Sequence, residues 1–221
     1  GEEAQKNGAR YLFEEKYITH YALKTGKALV KTNKREITCK IVVGADGPFS
    51  KVAKRFGIKH DFIPAAQVRA KFDYSTEKSA MYFHPRWKEL FGYVVPEGDN
   101  GICRIGIATK NKPNKAIKKF LKLLGISPSA IVSKQGGVIP YGFPKNVAFR
   151  NTVLIGDAAV MVKATTGGVI VMLISAAKIL APAIQKSLEQ SDYSRNFLVK
   201  HYQSPVKRGH IGLSLKAHYF I

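Results

Sequence analysis

The chain has 221 residues, 45% of them hydrophobic and 10% aromatic, a globular composition with room for one large or two modest domains and a sizeable core. Its net charge of +21 is spread as +6, +8 and +7 over residues 1–64, 65–141 and 142–221. That even spread excludes a dedicated nucleic-acid arm and leaves a general attraction to anionic surfaces, with lipid headgroups or nucleic acid as the available kinds. The charged opening E-E-A-Q-K-N-G-A-R carries no apolar signal segment, so secretion is not expected. The start without Met and the abrupt end at Ile221 predict a fragment.

Residues 8–45 read as short strands: A-R-Y-L-F, K-Y-I-T-H-Y-A-L, K-A-L-V-K-T and R-E-I-T-C-K-I-V-V, with turns at Thr25 to Lys27 and Thr32 to Lys34. This pattern predicts a β-meander that feeds a buried strand, Ile41 to Val43. G-A-D-G-P-F-S follows, with Asp46 at the tip of a tight strand-to-helix turn. Ser50 is positioned to cap a helix over Lys51 to Phe56.

From Ala65 to Thr109 the pattern changes to antiparallel strands around a hairpin loop at Glu97 to Gly101. A basic amphipathic helix, Asn114 to Leu124, stops at Gly125, and S-K-Q-G-G-V-I-P-Y-G-F-P reads as a crossing segment. Alternation places Ile105, Ile107, Tyr93 and Val95 on buried faces of this platform.

Thr152 to Ile155 is a short β-branched run of the buried-strand kind, stopped by Gly156 and Asp157. Thr165 and Thr166 offer hydroxyl caps, and Gly167 and Gly168 open a long apolar helix. A helix start of this kind suits a phosphate or another electron-rich group. Gly167 to Ile184 nears membrane-spanning length, but Lys178 and Pro182 fall inside it, and a core helix explains it better.

Cys39 and Cys103 lie in strand-like runs without metal-ligand spacing, so free buried thiols and no metal site are expected. The six histidines are scattered, and none is assigned catalysis.

The order G-A-D-G-x-x-S, an antiparallel insertion, G-G-x-I-P-x-G, then N-x-x-L-I-G-D-A-A-x-x-x-K-A-T-T-G-G resembles the flavoprotein fold of the aromatic hydroxylases, and most closely its geranylgeranyl reductase branch. The resemblance implies an α/β (α+β) fold: a partial, Rossmann-like FAD-binding domain with an inserted antiparallel substrate domain. Residues 1–64 and 142–186 would form the FAD-binding parts, 65–141 the substrate domain, and 187–221 a C-terminal helical segment. It further implies that Asp157, within Gly156-Asp157-Ala158, binds the ribityl chain of FAD. Thr166, Gly167 and Gly168 would lie under the pyrophosphate and the ring edge, and Asp46 and Gly47 would face the cofactor.

The family's G-x-G-x-x-G segment would lie upstream of Gly1. Three departures concern the substrate and the ring. Ala164 stands in place of the family's Pro and Val169 in place of its third glycine, and only Phe91, Tyr93 and Val95 match its aromatic isoprenoid-holding segment.

The implied activity is FAD-dependent reduction of isoprenoid (geranylgeranyl) double bonds in membrane lipid biosynthesis. The electron donor would be a nicotinamide, ferredoxin or deazaflavin. The location would be cytoplasmic, peripheral at the inner membrane face, with no specific nucleic-acid partner. The catalytic residues are unassigned; Tyr93, Tyr141 and Cys103 are proton-donor candidates by chemistry. The alternatives are a flavin monooxygenase or halogenase on the same scaffold, or a non-catalytic basic binding remnant.

Overall fold

The computed structural model describes residues 1–143, 145–163 and 168–216. In chain order, a short helix α1 (Glu2–Lys6) precedes strands β1 (Tyr17–Ala22), β2 (Ala28–Thr32), β3 (Glu36–Cys39) and β4 (Val42–Gly44), then helix α2 (Lys51–Arg55). Strands β5 (Asp61–Lys71), β6 (Ala80–Tyr82), β7 (Gly92–Pro96) and β8 (Ile102–Ala108) come next. Helix α3 (Pro113–Leu123) and strands β9 (Ile131–Tyr141), β10 (Ala148–Phe149) and β11 (Thr152–Leu154) follow. The long helix α4 (Ile170–Gln190) leads to three short helices, α5 (Arg195–Leu198), α6 (Ser204–Arg208) and α7 (His210–Lys216).

The strands form three sheets among the described residues, in the orders β1-β2-β3, β10-β11-β4 and β6-β7-β8-β5-β9. The first is the expected meander, but Ala9 to Phe13 adds no strand to it. Tyr11, Leu12 and Phe13 stay exposed, and the two rings stack on each other at 5.9 Å rather than on a core. The run Arg35 to Val43, expected as one strand, divides between two sheets. Asn151, itself at φ +57°, donates from Nδ2 to the carbonyls of Lys40 and Gly26, and so holds the chain where it leaves the meander. A second fastening is the path from the Tyr17 hydroxyl through the His20 ring to the Thr152 hydroxyl, at 2.6 and 2.9 Å.

β4 and β11 run parallel, with Leu154 opposite Gly44, and α2 packs against them. Gly44 is required there: a Cβ would sit 2.6 Å from Leu154 Cδ2 and 2.8 Å from Val52 Cγ1. Val52, Leu154, Met172, Ala176 and Leu180 share one core with Leu198, Tyr202, Ile211 and Leu215 from the C-terminal helices. The Tyr202 hydroxyl donates to the Leu154 carbonyl at 2.8 Å, so residues after 190 close the same core that the parallel strands begin.

The five-stranded sheet has its own core. Val68, Ala70, Val94, Ile105 and Ile107 face Ala116, Ile117, Phe120 and Leu121 of α3, with Trp87 at one end. Full burial of each large member contributes about 1.5–3 kcal/mol. The segment expected to cross between parts is instead the edge strand β9, paired with β5 from Asp61↔Tyr141 to Ala70↔Ile131.

Candidate functional site

Two Asp-containing turns lie at the same end of the two adjacent parallel strands, because β4 ends at Gly44 and β11, in register with it, at Leu154. The carboxyl ends of parallel strands are where α/β sheets offer a crevice to ligands. Asp46 follows β4, yet its carboxylate is turned onto the start of α2. It accepts from Ser50 Oγ at 2.5 Å, from the Lys51 amide at 2.8 Å and from the Val52 amide at 3.2 Å. Ser50 Oγ in turn accepts from the Ala53 amide at 2.8 Å, the expected cap. Gly47 turns the chain at φ +78° with open space where a side chain would be.

Asp157 is differently placed. Gly156 (φ +65°) through Ala159 form a single tight turn after β11, closed by Val160 at φ +56°. A β-branched residue in that region stores backbone strain, held here by burial of Val160 and its neighbours. The turn leaves Asp157 Oδ1 buried with no hydrogen-bond partner among the described residues. Burial raises the Asp157 pKa, and nearby His60 partly offsets the rise. His60 is the residue that sequence reasoning missed. Its Nδ1 meets the Pro48 carbonyl at 2.9 Å, which requires the proton on Nδ1. Nε2, a donor or an acceptor according to the charge on the ring, is also buried without a partner among the described residues. The signal for His60 was not periodicity but position, just past the helix that the Asp46 turn begins.

Beside the turn lies a cavity of about 520 Å³, bordered by His60, Asp61, Tyr141, Phe149, Leu154 and Ala158 to Val160. It joins the ends of β5 and β9 to the Gly-Asp turn. Ala158 is fully buried and Gly168 exposed. Thr166 and Gly167, with Ala164 and Thr165, lie outside the described residues. The long helix was expected to open at the glycine pair. It begins at Ile170 instead, with Val169 at its cap and no side-chain cap bond.

The expectation of a core helix holds for one face only. Met172, Ala176, Leu180 and Ala183 are buried, while Ile170 and Val171 are 70% and 74% exposed. Among the described helices, α4 is the one long and apolar enough to cross a membrane by length and composition.

Tyr93 and Val95 were expected to share buried faces with Ile105 and Ile107. The register overturns this: Val94 pairs with Ile105, so Tyr93, opposite Gly106, and Val95, opposite Arg104, lie on the other face of the sheet. Val95 is exposed. The apolar face is filled by α3 and is therefore no roof for a cofactor. On the other face Tyr93 lies over Gly106, where a Cβ would come within 2.3 Å of its hydroxyl. That hydroxyl donates to Gln67 Oε1 at 2.6 Å, Gln67 donates to Gln135 Oε1 at 2.5 Å, and burial raises the Tyr93 pKa. Phe91 adjoins Tyr93 edge-on at 6.5 Å and Phe83 at 5.8 Å. Glu97 accepts from both Arg69 and Arg104. Cys103 belongs to the face under α3, which removes it as a proton donor to anything on the Tyr93 face, and its thiol donates to the Phe72 carbonyl. Cys39, expected buried, is half-exposed; both thiols are free.

The sequence matches the family described as lycopene cyclase protein over residues 16–217. The chain belongs to that family. Digeranylgeranylglycerophospholipid reductase 2 of Methanothermobacter thermautotrophicus is 26% identical over 181 residues, covering 76% of this chain and 46% of that protein. The chain thus spans about half the length of the curated relatives it matches. Among solved structures, a geranylgeranyl bacteriochlorophyll reductase-like protein from Thermoplasma acidophilum superposes with a TM-score of 0.82 at 21% identity, over 98% of this chain and 58% of the other. A variant of the halogenase PltM in complex with FAD superposes with a TM-score of 0.71 at 14% identity, over 90% of this chain and 47% of the other. The geranylgeranyl reductase-like membership expected from the motif order is borne out, and the mixed α/β fold with an antiparallel sheet is that of FAD-dependent enzymes.

Proposed function

We propose that this protein is an FAD-dependent reductase of isoprenoid double bonds, acting on geranylgeranyl chains of membrane lipid precursors at the cytoplasmic face of a membrane. The observation that carries the cofactor is the pair of buried, partnerless polar atoms Asp157 Oδ1 and His60 Nε2 at the cavity that joins the ends of β5 and β9 to the turn after β11. Two buried polar groups with no partner are costly and call for a ligand rich in hydroxyls, which both donate and accept. The ribityl chain of FAD meets that need. The residues present therefore fit the group, with Asp157 as acceptor, His60 as its neighbouring hydrogen-bonding partner and the Gly156 and Gly168 backbone beside it.

When bound and reduced, FAD supplies a hydride to one carbon of an isolated double bond, and a proton is added at the other. This chain's own residues bind and orient. Phe83, Phe91 and Tyr93 give an aromatic surface on which an apolar chain lies without needing donors. The Tyr93 hydroxyl, kept protonated by burial and aimed at Gln67, holds that surface in place. The names of the relatives support the substrate class.

The test is anaerobic incubation of the full-length protein with FAD, dithionite and a digeranylgeranylglycerophospholipid, read by mass spectrometry. Gain of two hydrogens per double bond supports the reading. Oxygen-dependent hydroxylation or halogenation of an aromatic compound, with the lipid left unsaturated, would replace it with the monooxygenase or halogenase alternative.

A further inference from the structure

Between Asp99 and Asp157 the sequence contains no acidic residue and ten Lys and Arg. The fold gathers some of these cations around a groove of about 980 Å³ between α3 and strands β5 and β9. The floor is apolar: Val68, Ile117, Leu121 and Ile126 are each buried beneath it. The rim is basic, with Lys118 and Lys122 one helical turn apart on α3 and Lys134 across from them on β9. All three are exposed, and among the described residues none forms an ion pair. Leu123 and Val132, 65% and 50% exposed, lie next in sequence to Lys122 and near Lys134.

An apolar trough rimmed by unpaired cations, with no acidic residue in its lining, is complementary to an amphiphile with one anionic head and a hydrocarbon tail. We propose that this groove seats one anionic phospholipid from a membrane surface. Its phosphate rests on Lys118, Lys122 and Lys134, and its hydrocarbon on the floor. The groove opens on the α3 face of the sheet, away from Tyr93, so it is separate from the substrate surface proposed above and stands without it. The two contributions act differently. Charge attracts the protein to any polyanion and is screened by salt, whereas burial of hydrocarbon is not.

The test uses the full-length protein and vesicles of phosphatidylcholine with and without phosphatidylglycerol, at about 0.15 M salt, where the Debye length is about 8 Å. Replacing Lys118, Lys122 and Lys134 together by Gln is expected to weaken binding to the phosphatidylglycerol vesicles on the order of a hundredfold. Replacing Lys54, Lys186 and Lys200 by Gln removes the same charge elsewhere and should change it by no more than about threefold. Equal losses in the two variants would overturn the groove in favour of diffuse charge. Unaltered vesicle binding with loss of duplex DNA retention in the groove variant would overturn the lipid. As a second readout, dihexanoyl-phosphatidylglycerol should shift the amide resonances of Gly125 and Ile126, whereas glycerol phosphate should leave them in place. The same response to both would remove the hydrocarbon from the proposal.

Discussion

His60 Nε2 and Asp157 Oδ1 are two buried polar atoms that share a need: neither has a hydrogen bond among the described residues, and the imidazole lies close enough to act on the carboxyl's charge. Left unfilled, this pair destabilises the fold. Filled by hydroxyl donors, it becomes a binding site.

In the full-length protein, Asp157→Ala is expected to weaken FAD binding by about 1–3 kcal/mol, the scale for loss of a hydrogen bond to a charged group. His60→Phe should weaken it in the same direction, since it removes one hydrogen-bonding partner of the ligand. Without FAD, Asp157→Asn should raise the melting temperature, because burial raises the Asp157 pKa, so the carboxylate costs stability that the amide does not. Flavin titration and thermal unfolding of the same variants check both signs. Undiminished flavin affinity in Asp157→Ala would remove Asp157 from the cofactor's contacts.

Asp46 should separate from Asp157 in the same assay. Its carboxylate closes the first turn of α2, so Asp46→Ala is expected to lower stability by about 1–2 kcal/mol through loss of the cap. A loss of flavin affinity larger than the loss of stability would show that Asp46 also touches the cofactor.

His20 makes the fold sensitive to acid. Burial, then the charge of Arg55, hold its pKa below the ordinary 6.5, so the ring is neutral in the native state. The unfolded chain takes up the proton first. The stability that His20 contributes is therefore complete above about 6.5 and is lost as pH falls from there through the lowered native value. Urea unfolding at a series of pH values should show this loss, and His20→Gln should flatten it. An equal slope in the variant would place the acid sensitivity elsewhere.

Gly106 is the seat of the Tyr93 ring, and a Cβ there would meet ring atoms at 2.3 Å. Gly106→Ala should cost about 1–3 kcal/mol, as overpacking does. It should also release the Tyr93 to Gln67 bond, which Tyr93→Phe tests separately. If Gly106→Ala lowers lipid affinity while Tyr93→Phe does not, the ring's position matters more than its hydroxyl.

Much of this layout was legible because it rests on local chemistry. The β4 and β11 turns are marked by Gly and Asp after β-branched runs, and Ser50 stands one residue before a helix. The face of β7 was not legible, because Tyr93, Val94 and Val95 are all apolar and no alternation distinguishes them; only pairing with Ile105 and Gly106 decides. Gly136 and Gly137 made the edge strand β9 read as a crossing, although its partner β5 supplies the ladder that a glycine-rich strand lacks by itself. His60 was invisible because its importance arises from a carbonyl twelve residues away and a carboxyl on another strand's turn.

The long reach of Asn151 and His20 also bears on the order in which the chain matures. The pairings of the five-stranded sheet lie wholly within Asp61 to Tyr141, so this unit can close as soon as that stretch has left the ribosome. The meander cannot. Its bonds to Asn151 and Thr152 span 125 and 132 residues, and the parallel partner of β4 is made only then. A nascent chain halted before Asn151 should therefore be protected from protease over 61–141 and cleaved readily over 1–60. Residues 1–60 would gain their last native contacts only after the sheet that follows them has formed.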